Sequence, residues 1–535
     1  MTSMSGCGRG SLRRIVAAAI LALGVGTGAQ AESLGFRQAV SEAAAGDRVV
    51  ADFYLARDFA PLWTGKDDGA RRAALMTALR EAGMHGLPVG RYAPETIVAE
   101  FSALDTERAR GFLEAQMTEV FLRYAHDVQT GIIDPARADD GIVREVPLRD
   151  PAATLLAFAA ADPARFIRDL PPHSPAYTAL MKEKVALEAA IAAGGWGPIV
   201  PVAKLEAGDR GKGVVALRDR LYRLGYLGRS ATQDYDGAIM KAVQRFQIDN
   251  GLTADGVAGQ GTIEVLNTAP EDRLKSVLVA MERLRWMNGI SLGKRHVWVN
   301  LTDFTAKIVD DGHVTFETVT VVGMNQHDRR SPEFSDQIEF MVINPTWNVP
   351  RSIAVKEYLP MLQKDPNAVR HLRIVDRSGR AVNRAETDFT QFTAQSFPFS
   401  ISQAPSGDNA LGLVKFMFPN RWNIYLHDTP SKSLFNREIR AFSHGCIRLG
   451  KPFDFAYALL APQSDNPRAE FASHLNTGRE NTLMLDRPVP VHLVYFTAWP
   501  DEKGRVGYRR DVYGRDGRVF DEMKKAGVVL PGVQG

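Results

Sequence analysis

The hydrophobic pattern of this 535-residue chain changes along its length. Residues 34–193 are rich in Ala, Leu, Arg and Glu at helical spacing, as in the stretch 70–79. After Ser276 a helical stretch over 277–286 leads into runs that alternate as β-strands do, such as 296–301 and 338–344. A chain of this length is too long for one core, so two to four domains are expected. The order of patterns predicts a multidomain α+β protein.

The first 31 residues have the layout of a cleavable secretory signal. Arg9, Arg13 and Arg14 precede an apolar run over 15–25, and Ala29-Gln30-Ala31 forms a small-residue cleavage site. The run is shorter than the roughly 20 apolar residues that a membrane span needs. No later segment is long and apolar enough, so we predict an exported chain that does not span a membrane and begins near Glu32. An uncleaved signal anchor is the alternative.

Loss of the signal changes two properties of the chain. Its three arginines leave, which brings the formal net charge from +3 to about zero and argues against a nucleic-acid partner. Cys7 leaves as well, so Cys446 is the single cysteine of the mature chain. In an oxidising compartment such a thiol is either reactive or part of an intermolecular disulfide. The 11 histidines do not fall into ligand spacing with acidic residues, so no metal or other cofactor is predicted.

Residues 204–267 form a compact unit of three predicted helices. Two amphipathic stretches over 214–227 and 238–250 end at Gly225 and Gly251, where a helix C-terminus favours glycine. The sequences Leu-Gly-Tyr-Leu at 224–227, Ala-Val-Gln-Arg-Phe-Gln-Ile-Asp-Asn-Gly-Leu at 242–252 and Asp-Gly-Val-Ala-Gly-Gln-Gly-Thr at 255–262 resemble the peptidoglycan-binding domain of cell-wall enzymes. A structural three-helix spacer is the alternative interpretation.

Cys446 is the candidate nucleophile, within Ser443-His444-Gly445-Cys446-Ile447-Arg448. A cysteine attacks as thiolate, so its pKa must be lowered and a base must lie within reach, for which His427 and His444 are candidates. Gly445 indicates a turn between His444 and Cys446, and the N–H groups of Gly445 and Cys446 could form an oxyanion hole. Arg448 should face outward toward an anionic substrate group, because its guanidinium is a planar fork of donors. Taken alone, the motif is equally compatible with a buried structural cysteine.

The wider pattern resembles a known enzyme family. His427, followed 19 positions later by Cys446 in Ser-His-Gly-Cys-Ile-Arg, resembles the signature of the L,D-transpeptidase catalytic domain of the YkuD type. Segments 344–353, 409–416 and 424–430 resemble the large multidomain branch of that family, and 54–63 resembles the start of its scaffold domain.

The resemblance implies a fold class and a set of domain boundaries. It predicts a helical scaffold domain, a three-helix peptidoglycan-binding domain and a β-rich catalytic domain with a capping insertion. The predicted segments are a signal peptide (1–31), the scaffold (34–198), the peptidoglycan-binding domain (204–267), the catalytic domain (276–500, insertion about 353–400) and a turn-rich C-terminal extension (501–535).

The resemblance also implies roles for individual residues. Cys446 corresponds to the acylated nucleophile, and His427 to the general base, oriented by the backbone carbonyl of Asp428. Tyr425 and Arg448 correspond to substrate-side positions, and His444 takes second place among the catalytic candidates. Two departures affect substrate detail: Ser402 stands where the branch usually has Arg, and Met324 where Lys is common.

The implied reaction is periplasmic cross-linking of peptidoglycan. The partners are tetrapeptide stems, as acyl donor and acceptor, and proteins of cell-wall synthesis that supply them. Carbapenems should acylate Cys446. Two alternatives stay open: a cysteine hydrolase acting on stems or on wall-anchored protein links, and a wall-binding protein with an inert catalytic domain.

Overall fold

A computed structural model describes residues 32–531 of the chain. The predicted signal peptide and the final residues of the C-terminal extension lie outside these described residues. The described part divides into two compact units. One comprises residues 32–69 and 97–119, and the other comprises residues 70–96 and 120–531.

Residues 34–192 are largely helical, as their spacing predicts. Several helices begin with Pro in the first turn behind an Asp or Ser N-cap, because Pro needs no hydrogen-bond acceptor there. The helices are α1 (Leu34–Ala43), α2 (Arg48–Ala56), α3 (Gly69–Arg80), α4 (Pro94–Ser102), α5 (Glu107–Thr130), α6 (Pro135–Ala138), α7 (Pro151–Ala160), α8 (Pro163–Arg168) and α9 (Pro175–Ala192).

A buried carboxylate organises the first unit. Glu114 is fully buried and accepts hydrogen bonds from the Tyr54 hydroxyl at 2.7 Å and from the backbone N–H groups of Leu62 and Thr64 at 2.5 and 2.8 Å. A buried charge is tolerated only when its oxygens are satisfied in this way. The segment around Tyr54, singled out in the sequence, is thereby tied to α5.

Residues 204–267, called the middle unit below, contain the three predicted helices: α10 (Lys212–Arg223), α11 (Gly237–Asp249) and α12 (Gln260–Leu266). Gly225 and Gly251 follow α10 and α11 with φ of 77° and 65°, which confirms the predicted helix ends. Leu217, Val243 and Phe246 are fully buried in a small core of their own.

The following helix, α13 (Pro270–Trp286), begins six residues before the predicted Ser276. It is buried on nearly every side and contacts α9. A helix that is buried on every side, with its charged residues also buried, lies in the centre of a domain and not on its surface.

The last third of the chain is a nine-stranded sheet in the order β10-β3-β11-β9-β8-β4-β12-β1-β2. β3 also pairs with β2, so the strands from β3 round to β2 close on themselves. Bounds are β1 (Arg295–Asn300), β2 (Thr305–Asp310), β3 (His313–Gly323), β4 (Phe334–Ile343), β5 (Trp347–Asn348), β6 (Arg373–Val375), β7 (Ser400–Gln403), β8 (Val414–Met417), β9 (Leu426–His427), β10 (Ala441–Ser443), β11 (Ile447–Leu449), β12 (Asn481–Val494), β13 (Ala498–Pro500) and β14 (Val506–Tyr508).

The segment after β4 forms a small subdomain, the insertion, with a core that runs from Trp347 to Leu411. Helical turns α14 (Arg351–Ile353) and α15 (Leu359–Lys364) flank a π-helical turn, Ala354–Tyr358. Pro360 has no N–H to continue the α-helical ladder, which accounts for the widened turn. The insertion is not only helical, because β5, β7 and β6 also form a three-stranded sheet in it.

The turn-rich interpretation of residues 501–535 was wrong. β14 pairs with β13, and α18 (Arg515–Lys525) buries Val519, Phe520 and Met523. These three positions lie on one helix face, and the charged residues between them concealed the pattern. α16 (Pro452–Leu460) and α17 (Pro467–Leu475) complete the helices of the second unit.

Candidate active site

Three neighbouring strands place a row of charged and ionisable side chains on one face of the sheet. In the register, His427 of β9 pairs with Lys415 of β8 on one side and with Arg448 of β11 on the other. Directly opposed residues project to the same face. The adjacent row, Phe416, Leu426 and Ile447, is fully buried in the core. The alternation of each strand thus separates core from candidate site.

The loop between β10 and β11 carries the thiol, and buried hydroxyls fix its shape. Gly445 has φ of 118°, which favours glycine, and confirms the turn predicted between His444 and Cys446. The Ser443 hydroxyl donates to the Cys446 carbonyl at 2.5 Å. From a distant loop, the fully buried Ser331 hydroxyl donates to the Gly445 carbonyl at 2.6 Å. The backbone on both sides of the sulfur is therefore held.

His427 is buried, and its tautomer follows from its contacts. Its Nδ1 lies against the backbone carbonyl of Asp428. Because a carbonyl only accepts, Nδ1 carries the proton and Nε2 keeps its lone pair. The Asp428 carboxylate in turn accepts from the Leu413 N–H at 2.9 Å and from Lys432 Nζ at 2.5 Å. Desolvation lowers the pKa of His427 to about 3, and the charge of Arg448 contributes.

The Cys446 thiol is half-buried and directed at the Asn423 carbonyl, 3.5 Å from Sγ. Burial raises its pKa to about 11, although hydrogen bonds from Tyr425 and the charges of Arg448 and Lys415 oppose that change. The Tyr425 ring stands edge-on to the His427 ring, with centroids 5.6 Å apart. The resting pair is thus a neutral thiol and a neutral imidazole, contrary to the expectation of a lowered thiol pKa.

These groups line a cavity of about 670 Å³ whose other wall comes from the insertion. His444 lies in this cavity, with its Nε2 2.6 Å from a carboxylate oxygen of Glu357, in the π-helical turn. Arg329 makes a second ion pair with Glu357 at 2.7 Å. The structure therefore directs the His444 ring toward the insertion.

The other predicted positions have the following surroundings. The Gly445 N–H donates to Ser443 Oγ at 3.1 Å, so it is not free to serve as the predicted oxyanion donor. Arg448 is half-buried and lines the cavity with the thiol, and its Nε has no hydrogen-bond partner among the described residues. Met324 donates its N–H to the Ser443 carbonyl at 2.9 Å, and Ser402 pairs with Asn348 and Arg373 in the insertion sheet.

Sequence reasoning missed three residues of this site: Lys415, Glu357 and Ser331. The alternation at 414–417 could have placed Lys415 on the same face as His427. Glu357 and Ser331 carry no such signal, because each reaches the site through long-range packing. Within residues 32–531, no group of three or more His, Cys, Asp or Glu side chains is placed to hold a metal ion.

No helix in the described range 32–531 combines the length and apolar character needed to cross a membrane. A cysteine and a histidine that line one cavity beside a closed sheet define the class of site used in thiol-dependent nucleophilic catalysis.

Comparison with known families agrees with that class. Residues 294–462 match the L,D-transpeptidase catalytic domain, residues 48–183 match the scaffold domain, and residues 210–266 match a family described as "Putative peptidoglycan binding domain". The chain thus carries an L,D-transpeptidase catalytic domain together with a scaffold domain and a peptidoglycan-binding domain.

Individual relatives cover only part of the chain. A Haemophilus influenzae protein named "Putative L,D-transpeptidase" is 33% identical over 225 residues, which are 42% of this chain and 45% of that protein. The chain therefore spans less than half the length of this relative.

Two solved structures are also similar in part. Those of L,D-transpeptidases from Xylanimonas cellulosilytica and Stackebrandtia nassauensis are 17% and 16% identical, with TM-scores of 0.17 and 0.20. Each match covers 56% of this chain, with 98% and 97% of the solved chains.

Proposed function

We propose that this chain is a periplasmic L,D-transpeptidase that forms 3→3 peptidoglycan cross-links through a thioester on Cys446. The observation that carries the proposal is that a held thiol and a buried histidine, whose Nδ1 is bound to the Asp428 carbonyl, line one cavity walled on its other side by the insertion. The donor is a tetrapeptide stem, and the acceptor is the side-chain amine of a neighbouring stem.

In the first half-reaction, Cys446 Sγ attacks the carbonyl between the third residue of the stem and its terminal D-alanine. The thiol proton passes to His427 Nε2, the only ring nitrogen with a free lone pair. Because the resting thiol pKa is about 11, proton transfer accompanies attack instead of preceding it. The C–N bond then breaks, D-alanine leaves with the proton from His427, and the acyl group stays on sulfur.

In the second half-reaction, the acceptor amine attacks the thioester carbonyl. Its proton goes to His427, the C–S bond breaks, and the proton returns to the sulfur. The Asp428 carbonyl stabilises the transient imidazolium through Nδ1–H, while the charges of Lys415 and Arg448 oppose it and favour the anionic transition state.

Three side chains have positions suited to the substrate. The Arg448 guanidinium has unused donor capacity at Nε, which suits a stem carboxylate or the developing oxyanion. Lys415 Nζ lies 5.8 Å from the centre of the Tyr425 ring, on the same face as His427. With the Gly445 N–H occupied, we assign oxyanion stabilisation to the Cys446 N–H and to these cations.

The test is mass spectrometry of disaccharide-tetrapeptides incubated with the mature protein and with Cys446→Ala. A Cys446-dependent dimer lacking one D-alanine supports the transpeptidase. Release of D-alanine without dimer supports the hydrolase. Activity that persists in Cys446→Ala contradicts the assignment. Intact mass after carbapenem treatment should also show one adduct on Cys446.

A further inference from the structure

A second cavity, of about 500 Å³, lies away from the candidate active site. We call it the junction cavity, because four regions line it: α9, residues 195–196 and 223–226, α13, and the β13–β14 hairpin. The residues used below are Glu183, Trp196, Arg223, Arg273, Arg505 and Tyr508. No step of the proposed reaction uses them.

The junction cavity has an excess of positive charge. Three arginines line it against one carboxylate, that of Glu183. Glu183 accepts a hydrogen bond from the Tyr508 hydroxyl at 2.6 Å, and Arg505 is paired with Asp249 at 3.0 Å. With Arg505 paired, Glu183 is the one lining carboxylate that stands against both Arg223 and Arg273, so one positive charge remains in excess.

Arg273 forms the inner part of the site. It is 6% exposed, and its Nε has no hydrogen-bond partner among residues 32–531. Its guanidinium lies 4.5 Å from the centre of the Tyr508 ring and 5.3 Å from that of the Trp196 ring. Burial lowers the pKa of Arg273. Burial also lowers the pKa of the neighbouring Arg220, and the charges of Arg273 and Arg223 add to that effect. A bound anion would relieve this crowding of cations.

Trp196 gives the cavity an aromatic surface. It is half-buried and lies between the end of α9 and the start of α10. An aromatic ring beside guanidinium forks suits a ligand that has an apolar ring face and a carboxylate. An acidic sugar or a sugar-linked peptide of the cell wall has both features.

We infer that the junction cavity binds a carboxylate-bearing muropeptide, with the carboxylate on Arg223 and Arg273 and a sugar ring against Trp196. This inference rests on the wall substrate of the proposed function, and it adds a holding site for the strand apart from the thiol. In this inference the middle unit does not bind the wall alone, because α9, α13 and the β13–β14 hairpin form part of the same binding site.

The experiment is calorimetric titration of disaccharide-tetrapeptide into the full mature chain carrying Cys446→Ala, which cannot turn the probe over. We expect two sites. Adding Arg223→Ala with Trp196→Ala should weaken one of them by about tenfold or more, the effect of losing a charge-assisted hydrogen bond. Arg229→Ala, an exposed arginine elsewhere in the middle unit, is the matched control and should leave both sites unchanged.

Three outcomes would overturn the inference. The first is unchanged binding both in the double variant Arg223→Ala with Trp196→Ala and in the charge reversal Arg223→Glu. The melting temperature of Arg223→Glu must match that of the parent, so that the comparison is made on folded protein. Another is equal affinity for a probe with its carboxylates esterified. The third is equal competition by a glutamate-rich peptide without sugar. Because the titration needs no turnover, failure of the cross-linking assay and failure of this site are separate results.

Discussion

The two walls of the active-site cavity are built differently. One wall is the closed sheet, where His427, Lys415 and Arg448 are locked into register with a fully buried row behind them. The other is the insertion, which has its own core and reaches the thiol loop through the Glu357 ion pairs. We interpret the sheet wall as the part that fixes the chemistry, and the insertion wall as the part that controls access.

Removing the base of the sheet wall should have the largest effect. His427→Gln keeps a polar side chain but loses the basic Nε2, so kcat for dimer formation should fall by about 10²–10⁴-fold. His444→Gln is the matched change on a ring directed toward the insertion, and it should lower kcat far less. Equal losses in the two variants would show that the assignment of the base is wrong.

The Cys446 thiol should ionise at a higher pH than a free cysteine. Since burial raises the pKa of Cys446 to about 11, its thiolate fraction should rise about tenfold per pH unit from pH 7 to pH 10. Iodoacetamide alkylation, which reports the single thiol of the mature chain, should therefore accelerate without a plateau in this range. Urea-unfolded protein is the control, and its alkylation rate should be half-maximal near pH 8.5. A folded-state plateau below pH 9 would indicate a preformed thiolate.

Ser331→Ala tests the support behind the thiol loop. The substitution removes the donor to the Gly445 carbonyl and the acceptor of the Gly323 N–H at 2.9 Å. We expect the free energy of unfolding, measured in urea, to fall by about 1–3 kcal/mol, with a drop in kcat. Ser378→Ala, in an exposed turn of the insertion, is the control for the hydroxyl loss and should leave kcat unchanged.

The smallest effect should come from the insertion wall. Glu357→Gln removes the charge that pairs with His444 and Arg329, and partly exposed pairs contribute about 0.2–1 kcal/mol. We expect KM to rise up to about fivefold with kcat nearly unchanged. Amide exchange over 354–364 should accelerate while β9 and β11 keep their protection. Glu386→Gln, on the exposed face of the insertion, should change neither.

The sequence predicts the parts of this molecule whose signals are local. The spacing of apolar residues predicts the helices of residues 34–193 and the strands after Ser276, and Gly225 and Gly251 mark helix ends. Position-specific likeness to known families predicts the domain types and the pairing of His427 with Cys446. These features need only neighbouring residues or a motif to be recognised.

The features that sequence reasoning missed depend on distant packing. Glu357 reaches His444 across 87 residues, and Ser331 reaches Gly445 across 114. The pKa of Cys446 could not be inferred from its neighbours, because burial outweighs the nearby charges of Lys415 and Arg448. α18 was missed for a local reason, since charged residues separate the apolar positions of its buried face.

The most direct test of the account is intact-protein and peptide mass spectrometry of the mature chain quenched during turnover of tetrapeptide stems. The account predicts a transient adduct on Cys446, equal in mass to the stem without its terminal D-alanine, that accumulates when acceptor is withheld, forms far more slowly in His427→Gln and is absent from Cys446→Ala. Cross-linked dimer formed without any adduct on Cys446, or an adduct on another residue, would contradict it.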